Sequence, residues 1–329
     1  MTTRTTSVAD VSDSWTGDTE LVGYQRRTIG LPDAARYAGE PKDALAATLV
    51  RHRAPVSLRA VLYVHGWSDY FFQDHLAQEL EALGYDFYAL DLRRYGRSLR
   101  TGQLAGFITD LTHYYTELDA AVDITKGEGH DHLVLMGHST GGLLASLWAN
   151  DRPGALAALV LNSPWLELQG NAALRPALQP MFKAVGSLSP TYAFPVSDAG
   201  FNRRLLWDQE DGQWSFNTNL KGDRAFAVRV GWLAAIMSGQ GRVAEGLGID
   251  VPVLMLISAR TDFRQSYTEE LRRADVVLDV ERLAERAPDL GRHVTLIRID
   301  GGMHDLALSD EPARASFFDE MARWLRTYG

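Results

Sequence analysis

The stretch that most constrains this chain is Gly137-His138-Ser139-Thr140-Gly141. It follows an apolar run, Leu133-Val134-Leu135-Met136, and precedes a helix-like run over residues 142–149. A G-x-S-x-G pattern between a strand and a helix predicts a sharp turn with the serine at its apex. Such a turn strains the serine backbone and exposes the hydroxyl. Neighbouring chain passes so close that positions 137 and 141 need small residues. The helix that follows aims free N–H groups at the same point. The pattern therefore describes a nucleophile.

Elsewhere, apolar runs alternate with helical periodicity, which predicts a mostly parallel α/β sheet flanked by helices. Strands are expected over residues 45–50, 60–64, 86–90, 133–136, 158–161, 251–257 and 293–299. Helices are expected over 73–83, 109–125 and 313–328; the last would turn Phe317, Met321, Trp324 and Leu325 inward. The rhythm breaks between Trp165 and Gly248. That segment is rich in Pro, Asn, Gly and aromatic residues, including Trp165, Trp207, Trp214 and Trp232. It reads as an inserted, mainly helical cap over 165–248. The expected organisation is completed by a flexible N-terminal tail over 1–19 and a core over 20–164 and 249–329.

Composition works mainly by exclusion. With 329 residues, 46% apolar and 23% charged, the chain suits a soluble globular enzyme. A net charge of −9 without a basic run argues against nucleic acid as a partner. The absence of cysteine excludes disulfides, a thiol nucleophile and thiolate metal sites. No stretch approaches the ~20 apolar residues of a transmembrane segment, and the tail lacks a signal-peptide core. A cytoplasmic protein is expected.

A serine hydroxyl is a weak nucleophile that needs a base and an orienting acid. Around a strand-to-helix serine of this kind the chain order is serine, acid, histidine. That order reduces nine histidines to His293 and His304. His293 opens an apolar strand, at the wrong end of the sheet. His304 follows that strand in a loop, where sites on parallel sheets assemble, and is the expected base. Asp262, Asp275 and Asp279 are candidates for the acid. Asp262 closely follows the strand over 251–257, whereas Asp275 leaves room for one helix and one strand before His304. A developing oxyanion needs two donors. These are expected to be the backbone N–H groups of Thr140 and of Trp67, in the loop His65-Gly66-Trp67-Ser68-Asp69. His65 should bond loop backbone beneath them. In the turn from Asp91 to Ser98, Asp91 and Ser98 should bond backbone and Arg93 should pair locally. His138 reads as packing. His75, His113, His130 and His132 lack metal-ligand spacing, so no metal or cofactor is expected.

Together these segments, with Ala274-Asp275-Val276-Val277-Leu278-Asp279-Val280 and Gly302-Met303-His304-Asp305, resemble the monoacylglycerol lipase and lysophospholipase branch of the α/β-hydrolase superfamily. The resemblance covers residues 24–329 and is weakest in the cap. It implies the α/β-hydrolase fold. Residues 274–280 look like that fold's acid loop followed by a helix start at Asp279, which makes Asp275 the expected acid and residues 260–273 an insertion. The branch carries a Gly-rich HG-x-G loop and a DxRGHGxS turn. Here Ser68 stands for the loop's later glycine, and Arg94-Tyr95 replace Gly-His. Branch members act on monoacylglycerols or lysophospholipids, and relatives cleave small esters, aryl esters or peptides with an exposed N-terminus. The implied activity is hydrolysis of a small carboxylic ester, with an apolar acyl or aryl part, through Ser139, His304 and Asp275. An aminopeptidase would instead need an anionic cluster, which the cap acids Glu167, Asp198, Asp208, Glu210 and Asp211 could form. An acyltransferase or perhydrolase would use the same triad, and a non-catalytic ligand-binding protein would not need it.

Overall fold

The apolar runs line up side by side. The computed structural model describes residues 14–41, 45–168, 188–194, 201–222 and 225–329. Nine strands form one sheet: β1 (Thr16–Gly17), β2 (Gln25–Leu31), β3 (Leu45–Arg51), β4 (Arg59–Val64), β5 (Asp86–Asp91), β6 (His132–His138), β7 (Ala158–Asn162), β8 (Val253–Ser258) and β9 (Val294–Ile299). Their order is β1-β2-β3-β5-β4-β6-β7-β8-β9. From β5 to β9 neighbours run parallel, and β1 to β3 form an antiparallel edge.

Strands buried on both faces read as unbroken apolar runs, and their alternate side chains feed two cores. On one face Leu62, Leu135, Leu161 and Met255 meet α2 (Tyr115–Gly127), α3 (Thr140–Asp151), α6 (Val230–Ala244) and α7 (Val280–Arg286). On the other Tyr63, Met136, Val160 and Leu254 meet α1 (Asp74–Ala82) and α8 (Ala313–Tyr328). In α8, Phe317, Met321, Trp324 and Leu325 are buried, following the expected apolar stripe.

Three details differ from expectation. Strand β2 was hidden because Gln25-Arg26-Arg27-Thr28 is polar and only partly buried; its pairing with β3 through seven residue pairs defines it. The helix expected over 109–125 opens as a 3₁₀ turn at Leu111–Tyr114, because Asp110 accepts from Thr112 N and starts the turn there. Residues 1–13 of the expected tail lie outside the described residues, but 14–19 are held. Thr16 pairs with Arg26, Trp15 Nε1 donates to Glu128 at 2.5 Å, and Asp18 pairs with Arg97 at 2.7 Å.

Between the adjacent strands β7 and β8 the chain leaves the sheet. This excursion carries α4 (Phe201–Leu206), α5 (Thr218–Lys221) and α6. Helix α6 packs on α3 and buries Trp232, Ile236 and Met237. Residues 169–187, 195–200 and 223–224, all within the expected cap, lie outside the described residues. Among the described residues no helix is long and apolar enough to cross a membrane.

Candidate active site

Ser139 sits between β6 and α3 with φ 52° and ψ −117°. This left-handed backbone costs a non-glycine residue roughly 1–3 kcal/mol. The surroundings hold it in place. Ser139 N donates to Asn162 O at 3.1 Å, and Ser139 O accepts from Gly142 N at 3.0 Å and Trp165 N at 2.9 Å. A Cβ at Gly137 would lie 2.6 Å from Gly141 O, and one at Gly141 would lie 2.5 Å from Val64 O. The two glycines are therefore imposed by backbone crossing backbone.

His304 follows β9 on the same side of the sheet. Its Nε2 lies 3.1 Å from Ser139 Oγ, and its Nδ1 lies 2.8 Å from Asp275 Oδ2. The other Asp275 oxygen accepts from Val277 N and Leu278 N, each at 2.7 Å. Asp275 is fully buried, and Ser139 and His304 are nearly so. A hydroxyl, an imidazole and a carboxylate thus form one hydrogen-bonded line. The other two acid candidates lie elsewhere. Asp262 pairs with Arg264 at 2.8 Å, a hydrogen bond that keeps its carboxyl below the usual range. Asp279 caps α7, accepting from Glu281 N and Arg282 N. His293 stacks edge-on against Tyr328.

The loop after β4 lies against this line. Trp67 lines the same cavity as Ser139 and His304, and Thr140 opens α3. Beneath the loop, His65 Nδ1 bonds Gly66 O at 2.8 Å and its Nε2 accepts from Leu92 N at 3.2 Å. In the 91–98 turn, Asp91 accepts from Phe71 N and Arg97 N, and Ser98 Oγ donates to Asp91 O. Arg93 does not pair locally; it reaches Glu117 of α2, because that carboxylate is buried beside the turn. Ser68 and Arg94, which replace family glycines, have φ 51° and 66°. Arg94 is secured by Glu40 at 2.7 Å. Ser68 Oγ donates to Lys221 O at 2.5 Å and accepts from Phe226 N at 3.0 Å.

Sequence reasoning missed Asn162. It ends β7 fully buried, and its Nδ2 donates to Asp305 Oδ1 at 2.7 Å while its Oδ1 accepts from Leu306 N at 3.2 Å. Its backbone carbonyl also receives Ser139 N and His138 Nδ1. Asn162 therefore ties the serine turn to the loop that carries His304. The only sequence sign was a polar residue closing an apolar strand.

Asp69, His138 and Asp305 bring possible metal-ligating atoms within 4.8 Å of one another. Their chemistry is already satisfied. Lys221 pairs with Asp69, and Asp305 accepts from Asn162, Gln73 and Ala307 N. Burial would raise the Asp69 pKa, but the Lys221 charge and hydrogen bond, together with His138 and His65, outweigh it and hold the carboxyl below its usual range. Burial lowers the His138 pKa, which Asp305 opposes and His304 reinforces. The cavity beside Ser139 measures about 310 Å³, with Leu206, Val228, Val277 and Leu308 among its apolar walls.

The family model described as serine aminopeptidase, S33 matches residues 57–311. A monoacylglycerol lipase of Mycolicibacterium smegmatis is 30% identical over 133 residues. That match takes in 40% of this chain and 45% of the relative, so the chain spans about half the length of the curated lipase it matches. Among solved structures, a monoacylglycerol lipase of Paleococcus ferrophilus has a TM-score of 0.61 at 17% identity, covering 93% of this chain and 99% of that one. A thermostable carboxyl esterase of Bacillus coagulans, in complex with glycerol, has a TM-score of 0.64 at 13% identity, covering 94% and 99%. At these identities the structural likeness carries the fold alone.

Proposed function

The chain belongs to the serine aminopeptidase, S33 family, with its α/β-hydrolase fold, and on that premise we propose that it hydrolyses carboxylic esters by acyl transfer through Ser139. His304 takes the hydroxyl proton as Ser139 attacks the carbonyl carbon. Asp275 orients the imidazole and stabilises its charged form. The Trp67 and Thr140 N–H groups receive the oxyanion. The tetrahedral intermediate collapses as His304 protonates the leaving alcohol. Water, deprotonated by His304, then releases the acid and restores Ser139. The observation that carries this reading is the unbroken line from Ser139 Oγ through His304 to Asp275.

Apolar cavity walls and Trp67 favour an apolar acyl or aryl group. In this reading, residues 165–248 form the cap over that group. An amine-terminated peptide is less well served. The cap acids Glu167, Glu210 and Asp211 already pair with Arg286, Arg203 and Arg204; Asp208 accepts from Gln209 Nε2, and Asp198 lies outside the described residues. The test is a chain-length series of p-nitrophenyl esters beside aminoacyl anilides. Ester turnover that disappears in Ser139→Ala is expected. Turnover of the anilides alone, or ester turnover surviving in Ser139→Ala, would overturn the proposal.

A further inference from the structure

Three consecutive residues of the loop after β4 are gripped by the excursion between β7 and β8. The Trp67 indole lies against Trp232 of α6, ring centroids 3.7 Å apart, and edge-on to Phe226 at 5.9 Å. Ser68 Oγ bridges Lys221 O and Phe226 N. The Asp69 carboxylate pairs with Lys221 Nζ, whose ammonium also lies 4.8 Å from the Phe72 ring centre. Ser68 holds a left-handed φ that glycine would adopt without cost. Its side chain therefore supplies something glycine cannot, a two-way hydrogen bond across about 150 residues of chain.

We propose that Ser68 and Lys221 are positioning residues, which fix the Trp67 amide for the oxyanion through contacts to Lys221 and Phe226. This inference rests on the acyl-transfer reading above. The oxyanion donor is then delivered by two parts of the chain together: β4 brings the loop near, and the excursion sets its final position. Donors must sit within a few tenths of an ångström of the developing charge to act fully. Releasing the loop should therefore weaken transition-state stabilisation more than substrate binding.

Ser68 allows a test that separates positioning from stability. Ser68→Ala removes the hydroxyl and keeps the backbone strain. Ser68→Gly removes both, so the two variants differ in stability and share the missing hydrogen bonds. Both should lose about tenfold to hundredfold in kcat, with KM within about twofold of wild type. Lys221→Met should behave likewise, and Lys221→Arg should recover much of the loss. Affinity for a boronic acid, whose tetrahedral Ser139 adduct presents an oxygen to the same donors, should fall in parallel. Ser68→Gly and Ser68→Ala at full kcat, or a loss confined to Ser68→Ala and proportional to its lower Tm, would overturn the inference while Ser139→Ala remains inactive. A wild-type protein without any esterase turnover would instead remove the acyl-transfer reading, and this inference with it.

Discussion

Asp275 differs from its two rivals in the company it keeps. It is the fully buried carboxylate that meets His304, whereas Asp262 answers to arginines and Asp279 to a helix start. Asp275→Asn should therefore lower kcat by about a thousand- to ten-thousand-fold through the wrong imidazole tautomer, as in the triad of the serine proteases from which this magnitude comes. Asp262→Asn and Asp279→Asn should stay near wild type in the same steady-state assay. Full activity in Asp275→Asn would remove it from the site. Ser139 and His304 could be paired from sequence because chain order and strand position leave few choices. Among the acid candidates Asp262, Asp275 and Asp279, spacing left the choice open and only the resemblance of residues 274–280 to an acid loop singled out Asp275, the one that meets His304, because folding decides which aspartate turns inward. Asn162 stayed hidden for a different reason: its partners, Asp305 and Leu306, are distant in sequence.

At the scale of elements, the junction of β6 and α3 is held by backbone contact. Gly137→Ala and Gly141→Ala each insert a methyl where backbone atoms already sit at 2.6 and 2.5 Å. Each should cost roughly 1–3 kcal/mol or more through overpacking, read as a fall in the urea midpoint. An unchanged midpoint would mean that the turn can widen. Asp279→Ala, which strips the N-cap of α7, should cost about 1 kcal/mol and leave catalysis alone. The seven strands expected from apolar runs all form, with ends shifted by a residue or two. The central ones were legible because burial on both faces favours an apolar run, and β9, an edge strand that is only partly buried, still reads Val-Thr-Leu-Ile. Strand β2 was not, since its first four residues, Gln25-Arg26-Arg27-Thr28, are only partly buried and polar. The segment between β7 and β8 lacked periodicity, because α4 and α5 are short and much of its packing is aromatic; Trp207 and Trp214, for example, meet Phe216 and His75.

Across the whole molecule, several buried groups share one response to acid. Burial alone would raise the pKa values of Asp18, Glu40 and Asp69, but Arg97, Arg94 and Lys221, joined by backbone N–H donors at Asp18 and Glu40 and by His138 and His65 at Asp69, outweigh it and hold them below the usual range. A carboxylate with a depressed folded-state pKa adds stability above its unfolded value, about pH 4, and loses it as the pH falls through the folded value. His138 and His75 act earlier. Burial depresses both pKa values, so stability falls as the pH drops below about 6.5, where the unfolded chain takes up the protons first. Urea midpoints from pH 8 to pH 3 should therefore decline in two stages, and His138→Gln should shrink the first, leaving the share due to His75. A midpoint that rises in acid would contradict this assignment. The acid response links the same parts as the proposed chemistry: Asp69 and Lys221 join the loop after β4 to the excursion, and His138 adjoins the nucleophile. The most direct measurement of that chemistry is covalent labelling with a fluorophosphonate, followed by peptide mass spectrometry. One adduct is expected, on the peptide containing Ser139, absent from Ser139→Ala and strongly slowed in His304→Ala; an unlabelled wild-type protein, or an adduct on another residue, would contradict an activated Ser139.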